Sequence, residues 1–163
     1  MTPDRRQLRF TLRPYAPDDF DETVAVWRAS KRAAFAYVEA QQRWTLEDDA
    51  GHFRRVISVE YEIWLAEAEG RIVGMLARKG DFVDQLFVHP DLQRCGVGTA
   101  LLRKAAELSP GGLRLFTFQR NLPARSFYEK HGFRAVKFGV SPPPENEPDV
   151  EYRWDPPQRG HAR

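Results

Sequence analysis

Leu86-Phe87-Val88-His89-Pro90-Asp91-Leu92-Gln93-Arg94-Cys95-Gly96-Val97-Gly98-Thr99-Ala100-Leu101-Leu102 reads as a strand end, a turn, a glycine-bearing loop and a helix start. Glycines at 96 and 98 let successive backbone N–H groups converge with no Cβ in the way. Those groups are also the unpaired first donors of the helix that follows, so its positive end faces whatever the loop encloses. A phosphate or pyrophosphate suits such a loop, and Arg94 adds a full positive charge beside it. The P-loop pattern G-x-x-x-x-G-K-S/T is absent. A dinucleotide-binding Rossmann fingerprint fails twice, because no third glycine follows Gly98 at the needed offset and seven residues separate Val88 from Gly96.

Working outward, the strand leading into the loop is Phe82–Val88 (FVDQLFV), strongly apolar. Before it stand two strand-like runs, Glu62–Ala68 and Arg71–Lys79, joined by the tight turn Glu69-Gly70. Earlier still, Leu8–Arg13 alternates apolar and polar residues and is expected to form a first strand closed by Pro14. Asp18 and Asp19 supply an acidic first turn for a helix to about Ser30, with Phe20, Val24 and Trp27 on one face. More helix is expected from Lys31 to Ser58, broken near Thr45, where Thr45-Leu46-Glu47-Asp48 resembles a capping sequence.

Beyond the loop, Val97–Leu108 carries apolar residues at helical spacing, and Ser109-Pro110-Gly111-Gly112 stops it. Leu113–Phe118 reads as the next strand, and Asn121–His131 as a short helix closed by Gly132. Phe133–Val140 and Val150–Trp154 form a final strand pair joined by the proline-rich loop Ser141–Asp149, and the tail from Pro156 to Arg163 is expected to fray. The fold class is a single α+β domain on a mixed, largely antiparallel sheet.

The 163 residues suffice for one domain with a full core and are too few for two comfortable ones. Hydrophobic residues at 42% and charged residues at 29% exclude disorder and collagen-like repetition. Lysine and arginine number 25 against 23 acids, a net +2 with the signs interspersed, which is no footprint for nucleic acid. No stretch approaches the ~18–20 apolar residues of a membrane span, and the opening MTPDRRQLRF lacks the apolar region of a secretory signal. The one cysteine, Cys95, allows no internal disulfide and suits a reducing cytoplasm. His52, His89, His131 and His161 show no metal-ligand spacing, so no metal is expected.

Gln93-x-x-Gly96-x-Gly98 after a strand ending in Val-x-Pro resembles the acetyl-CoA signature of the GNAT superfamily of N-acetyltransferases. A second stretch, Asn121-Leu122-Pro123-Ala124-Arg125-Ser126-Phe127-Tyr128-Glu129-Lys130-His131-Gly132-Phe133, resembles that family's Asn-x-x-A-x-x-F/L-Y-x-x-x-G-F helix position for position. The likeness runs from about Leu8 to Trp154, although the first sixty residues match only in element order. It implies helices on both faces of the sheet, and a V-shaped gap where the strand before the loop splays from its neighbour. Leu86, Phe87 and Val88 would then meet the pantetheine arm through main-chain groups. Arg94, Cys95, Gly96, Val97, Gly98 and Thr99 would wrap the pyrophosphate with their N–H groups, and Asn121 would touch the arm through its amide. Tyr128 stands where the family places a tyrosine beside the CoA sulfur.

The implied reaction is direct attack of a primary amine on acetyl-CoA, the acetyl donor and co-substrate. Main-chain N–H groups near Phe87 and Val88 would stabilise the oxyanion. A phenol stays protonated at neutral pH and can donate to the departing thiolate, the role implied for Tyr128. Some relatives carry a basic glutamate on the strand before the Asn motif; here that strand, Leu113–Gln119, has no carboxylate. Asp84, an acid inside an apolar strand, is the candidate base, with Glu151 and Tyr152 as weaker alternatives. Trp27, Phe35, Tyr37, Trp44 and Tyr152 are candidate pocket aromatics, and a small-molecule or peptide amine is the expected acceptor. No nucleic-acid or membrane partner is expected; edge strands make a homodimer conceivable. Two rivals stand against the enzyme: a non-catalytic acyl-CoA-binding regulatory module, and a Rossmann-type nucleotide binder that the missing glycine disfavours.

Overall fold

A computed structural model describes residues 8–158. The expectation of no leader, at residues 1–7, and the part of the expected fraying tail (156–163) that falls on 159–163 lie outside the described residues. The strands are β1 (Thr11–Pro14), β2 (Glu62–Ala68), β3 (Arg71–Lys79), β4 (Phe82–Val88), β5 (Leu113–Phe118), β6 (Arg134–Val140) and β7 (Pro148–Trp154). They make one seven-stranded sheet in the order β1-β2-β3-β4-β5-β7-β6, antiparallel at every junction except the parallel β4–β5. The mixed, largely antiparallel α+β sheet read from the sequence is the one observed.

Helix α1 (Phe20–Ala34) follows a short 3₁₀ turn at Pro17–Asp19. Next come α2 (Glu39–Arg43), α3 (Leu46–His52), a π-helical turn (Phe53–Ile57) and α4 (Ser58–Glu60). The break at Thr45 is a capping box: Thr45 Oγ1 accepts from the Asp48 N–H at 3.1 Å, and Asp48 accepts from the Thr45 N–H at 2.9 Å. Helices α5 (Val97–Leu108) and α6 (Leu122–Lys130) complete the set. Several expected bounds shift: β1 starts at Thr11 and takes in Pro14, α1 runs past Ser30 to Ala34, β6 starts one residue later at Arg134, and β7 starts at Pro148, inside the expected proline-rich loop. An edge strand such as β1 tolerates Pro14 because one side of its backbone needs no partner.

Strands β2 and β3 are buried on both faces, so they read as near-continuous apolar runs. Adjacent residues go to opposite layers. Leu65, Met75 and Ala77 pack with Val24, Trp27, Phe53 and Ile57 from the α1–α3 side. Ala66 and Leu76 pack with Val97, Leu101 and Tyr128 from the α5–α6 side. The sheet thus separates two cores, and the functional residues lie where both cores reach the β4–β5 junction.

Candidate active site

The site begins as a flaw in strand pairing. Opposite β3, Gln85 faces Ala77 and Val83 faces Arg78, which leaves Asp84 as an extra residue in a β-bulge. A bulge turns a side chain out of strict alternation and bends its strand. Here it lets Asp84 and Gln85, neighbours in sequence, both line the same cavity. On its other edge β4 pairs with β5 at one position, Phe82 opposite Arg114. The Arg114 N–H donates to the Asp81 carbonyl at 2.9 Å, and past this anchor the ladder ends.

The opening between these strands is a cavity of about 680 Å³, bounded by Phe82–Phe87 of β4 and Leu115–Phe118 of β5. That size holds a small ligand or one arm of a larger one. Phe35, just after α1, spans the divergence: its ring lies 6.0 Å from Phe87 on β4 and 5.0 Å from Phe118 on β5, edge-on to both. Trp27, Trp44 and His52 form a second wall. A third is Ser141–Glu145 of the proline-rich loop, tied to α2 by Gln41 Nε2 donating to Glu145 at 2.6 Å.

Asp84 is held by a directional chain. The Trp27 indole donates to Gln85 Oε1 at 2.9 Å, which orients the amide so that Nε2 donates to Asp84 at 2.9 Å. A charge-assisted bond of this kind fixes a carboxylate in place. Nearby, Lys31 Nζ sits 3.6 Å above the Trp27 ring and 2.6 Å from Asp49, which also pairs with Arg28. Burial pulls the Lys31 ammonium below its usual range, opposed by its bond to Asp49. Burial also lowers His52, with Lys31 as the next cause, while burial raises the Asp149 carboxyl.

At the other end stands the glycine loop. Gly96 is the residue before α5 and has φ +87°, a left-handed conformation; Arg94 shares it at φ +65° and is exposed. No side chain caps α5, so its first N–H groups are free, and a Cβ on Gly96 would meet nothing within 4 Å. Cys95 Sγ contacts the Gln93 carbonyl at 3.7 Å. Thr99 is tied to the end of α6: His131 Nδ1 donates to the Phe127 carbonyl at 2.7 Å, leaving Nε2 3.1 Å from the Thr99 hydroxyl. A Cβ on Gly98 would sit in ordinary contact with the Phe127 ring, 3.5 Å away.

Asn121 caps α6, its Oδ1 accepting from the Ala124 N–H at 3.3 Å, and it lines the cavity. Tyr128 reaches the same cavity from the opposite core, at 8% exposure. Its hydroxyl has no hydrogen-bond partner among the described residues, and burial alone raises its ionisation well above the ordinary phenol value. Leu86 and Phe87 line the cavity too, while the Val88 carbonyl accepts from Ser30 Oγ at 3.1 Å. Of the five aromatics proposed from sequence, Trp27, Phe35 and Trp44 line the cavity. Tyr152 is fully buried elsewhere, donating to Glu129 at 2.8 Å and accepting from Arg125 at 3.1 Å. Tyr37 instead lies under the Arg120 guanidinium, 4.4 Å from ring centre to charge. His52 and Gln85 went unnoticed in the sequence. A polar pair at 84–85 inside an apolar strand was the available signal for Gln85; His52 had none.

A sheet that opens between two parallel strands beside a glycine loop and a helix N-terminus is the architecture of an acyl-CoA-type acyltransferase. Residues 60–135 match the family model described as an acetyltransferase (GNAT) domain. Over 127 residues the chain is 32% identical to the peptidyl-lysine N-acetyltransferase YjaB of Escherichia coli (strain K12), spanning 77% of this chain and 83% of that protein. The solution structure of apo YjaB from Escherichia coli superposes with a TM-score of 0.72 at 27% identity, over 90% of this chain and 97% of that one. A crystal structure of a GCN5-related N-acetyltransferase from Rhodopseudomonas palustris superposes with a TM-score of 0.78 at 29% identity, over 91% and 98%. The chain belongs to the GNAT family of N-acetyltransferases.

Proposed function

We propose that the protein moves an acetyl group from acetyl-CoA to a primary alkylamine, and that a lysine side chain in a peptide is the first acceptor to test. The family membership supports the acetyl donor, and the relative named a peptidyl-lysine N-acetyltransferase supports the acceptor class. Acetyl-CoA supplies an activated thioester. In this reading the N–H groups of Arg94, Cys95, Gly96, Val97, Gly98 and Thr99 hold its pyrophosphate, helped by the α5 dipole. The edge of β4 that β5 abandons, at Leu86, Phe87 and Val88, pairs with the pantetheine arm, and the free Asn121 amide completes that contact. The reaction belongs in the cytoplasm, where a lone cysteine stays reduced.

Asp84 attracts the acceptor as its ammonium ion, and one proton leaves by way of this carboxylate before nitrogen attacks. A bond forms between nitrogen and the carbonyl carbon while β4 N–H groups bear the developing oxyanion. The carbon–sulfur bond then breaks, Tyr128 donates its proton to sulfur, and the second proton lost from nitrogen restores the phenol. One proton per turnover passes to solvent. The observation that carries this reading is Tyr128: a buried, neutral phenol with no protein partner, lining the cavity where β4 offers free backbone.

The test is acetyl-CoA-dependent thiol release with a peptide bearing one internal lysine. Wild type should release thiol only when both substrates are present. Tyr128→Phe should lower kcat by about 10²-fold, the scale of one general acid, with acetyl-CoA affinity unchanged. Acetyl-CoA binding with no release on any amine would favour a non-catalytic acyl-CoA-binding module.

A further inference from the structure

We infer that His52 is the proton acceptor for the acceptor amine, the group that receives the proton Asp84 draws into the cavity. This assignment rests on the acetyltransferase reading above. An imidazole is intrinsically a stronger base than a carboxylate and so the better station for a proton taken from an alkylammonium. The cavity wall includes one imidazole, and it is His52.

Its placement is built by several elements. His52 is the last residue of α3, where the helix loosens into the π turn Phe53–Ile57. Such turns re-aim the residues around them and recur at functional sites. The turn sends Phe53 and Ile57 into the core, fully buried, while His52 stays half-buried at the cavity. Two indoles grip the ring: Trp27 is stacked against it, centroids 6.3 Å apart at 18°, and Trp44 meets it edge-on at 5.7 Å. Among the described residues neither ring nitrogen has a hydrogen-bond partner, so both are open to a substrate, a water or Asp84.

Three charged groups of the wall are engaged, and burial raises the carboxyl of a fourth, Asp149. Lys31 is bonded to Asp49, Glu145 accepts from Gln41, and Asp84 is held by Gln85. Charges facing His52 come from Lys31 on α1, Asp84 on β4, and Asp49 and Arg55 on its own helical segment. Burial, then Lys31, favours the neutral ring, while Asp84 and Asp49 favour the cation. The net direction is downward, which leaves the imidazole unprotonated and able to accept near neutral pH. Asp84 then steadies the imidazolium that forms, and solvent removes the proton.

The experiment measures kcat against pH at saturating acetyl-CoA and lysine peptide for wild type, His52→Gln and His52→Ala. Acetyl-CoA titration and thermal melting on each protein confirm that it is folded and loaded. Wild-type kcat should rise with pH and level off once the ring is neutral. His52→Gln should lose about 10²-fold in kcat near pH 7, keep its acetyl-CoA affinity, and lack that plateau, and added imidazole should restore part of the His52→Ala rate. Retention of kcat within about threefold in His52→Gln, too little for a general base, would overturn the assignment and leave acetyl transfer standing. A loss of rate with an unchanged pH profile and no imidazole rescue would also overturn it, reducing His52 to packing. Binding of acetyl-CoA with no wild-type turnover would instead overturn the acetyltransferase reading, and this assignment with it.

Discussion

Tyr128 shows how packing can place a polar group at a cavity. Its ring stands 5.3 Å from Phe127 and 5.4 Å from Phe133, edge-on to both, which fixes it between α6 and the sheet. The hydroxyl, left without a partner, is held neutral by burial. The pH consequence has a definite sign. An unfolded chain gives up this proton near pH 10, whereas the folded chain keeps it to higher pH. Stability from this group is whole below about pH 10 and is lost as pH rises beyond it. Chemical denaturation at pH 8 and pH 11 should therefore show a smaller alkaline loss for Tyr128→Phe than for wild type. That Tyr128, Asn121 and Asp84 line one cavity accords with the sequence, where motif spacing or an acid in an apolar run marks them. Gln85 and His52 were not legible there, because their roles depend on a bulge and on two tryptophans from distant elements.

Among the elements, the glycine loop, the strand before it and the helix after it were readable from short-range rules: glycine at positive φ, apolar residues at helical spacing, a stop at Ser109–Gly112. The capping box at Thr45 was readable for the same reason. The β4 bulge, the π turn and the Phe35 wedge were not, since each arises from packing between segments far apart in the chain. Gly74 on β3 is a related case. A Cβ there would lie 3.1 Å from the Phe87 carbonyl and 3.1 Å from Val97, so its absence lets α5 settle onto the β3–β4 edge of the site. Gly74→Ala should destabilise the fold by roughly 1–3 kcal/mol, as overpacking does. In a chain of this size that lowers Tm by about 2–4 °C per kcal/mol. Unchanged melting would mean that the neighbouring side chains yield freely.

At the scale of the molecule, two cores meet through one opening in the sheet. The α5–α6 side contributes Tyr128 and the glycine loop; the α1–α3 side contributes Trp27, His52 and the buried Lys31–Asp49–Arg28 cluster. The first half is a motif written in consecutive residues, and the second is assembled from residues that share only element order with the family. That division explains why the glycine-loop end of the cavity is legible in the sequence while the lining from α1 and α3 is seen only in the fold. The central claim is that the Gly96 loop holds the acetyl donor at the β4–β5 opening, and calorimetric titration with acetyl-CoA, on wild type and Gly96→Asp, tests it most directly. Wild type should bind in the micromolar range. The substitution, which adds a carboxylate and strains a backbone at φ +87°, should weaken binding by at least about tenfold. Equal binding by both proteins, or none by wild type, would contradict the account.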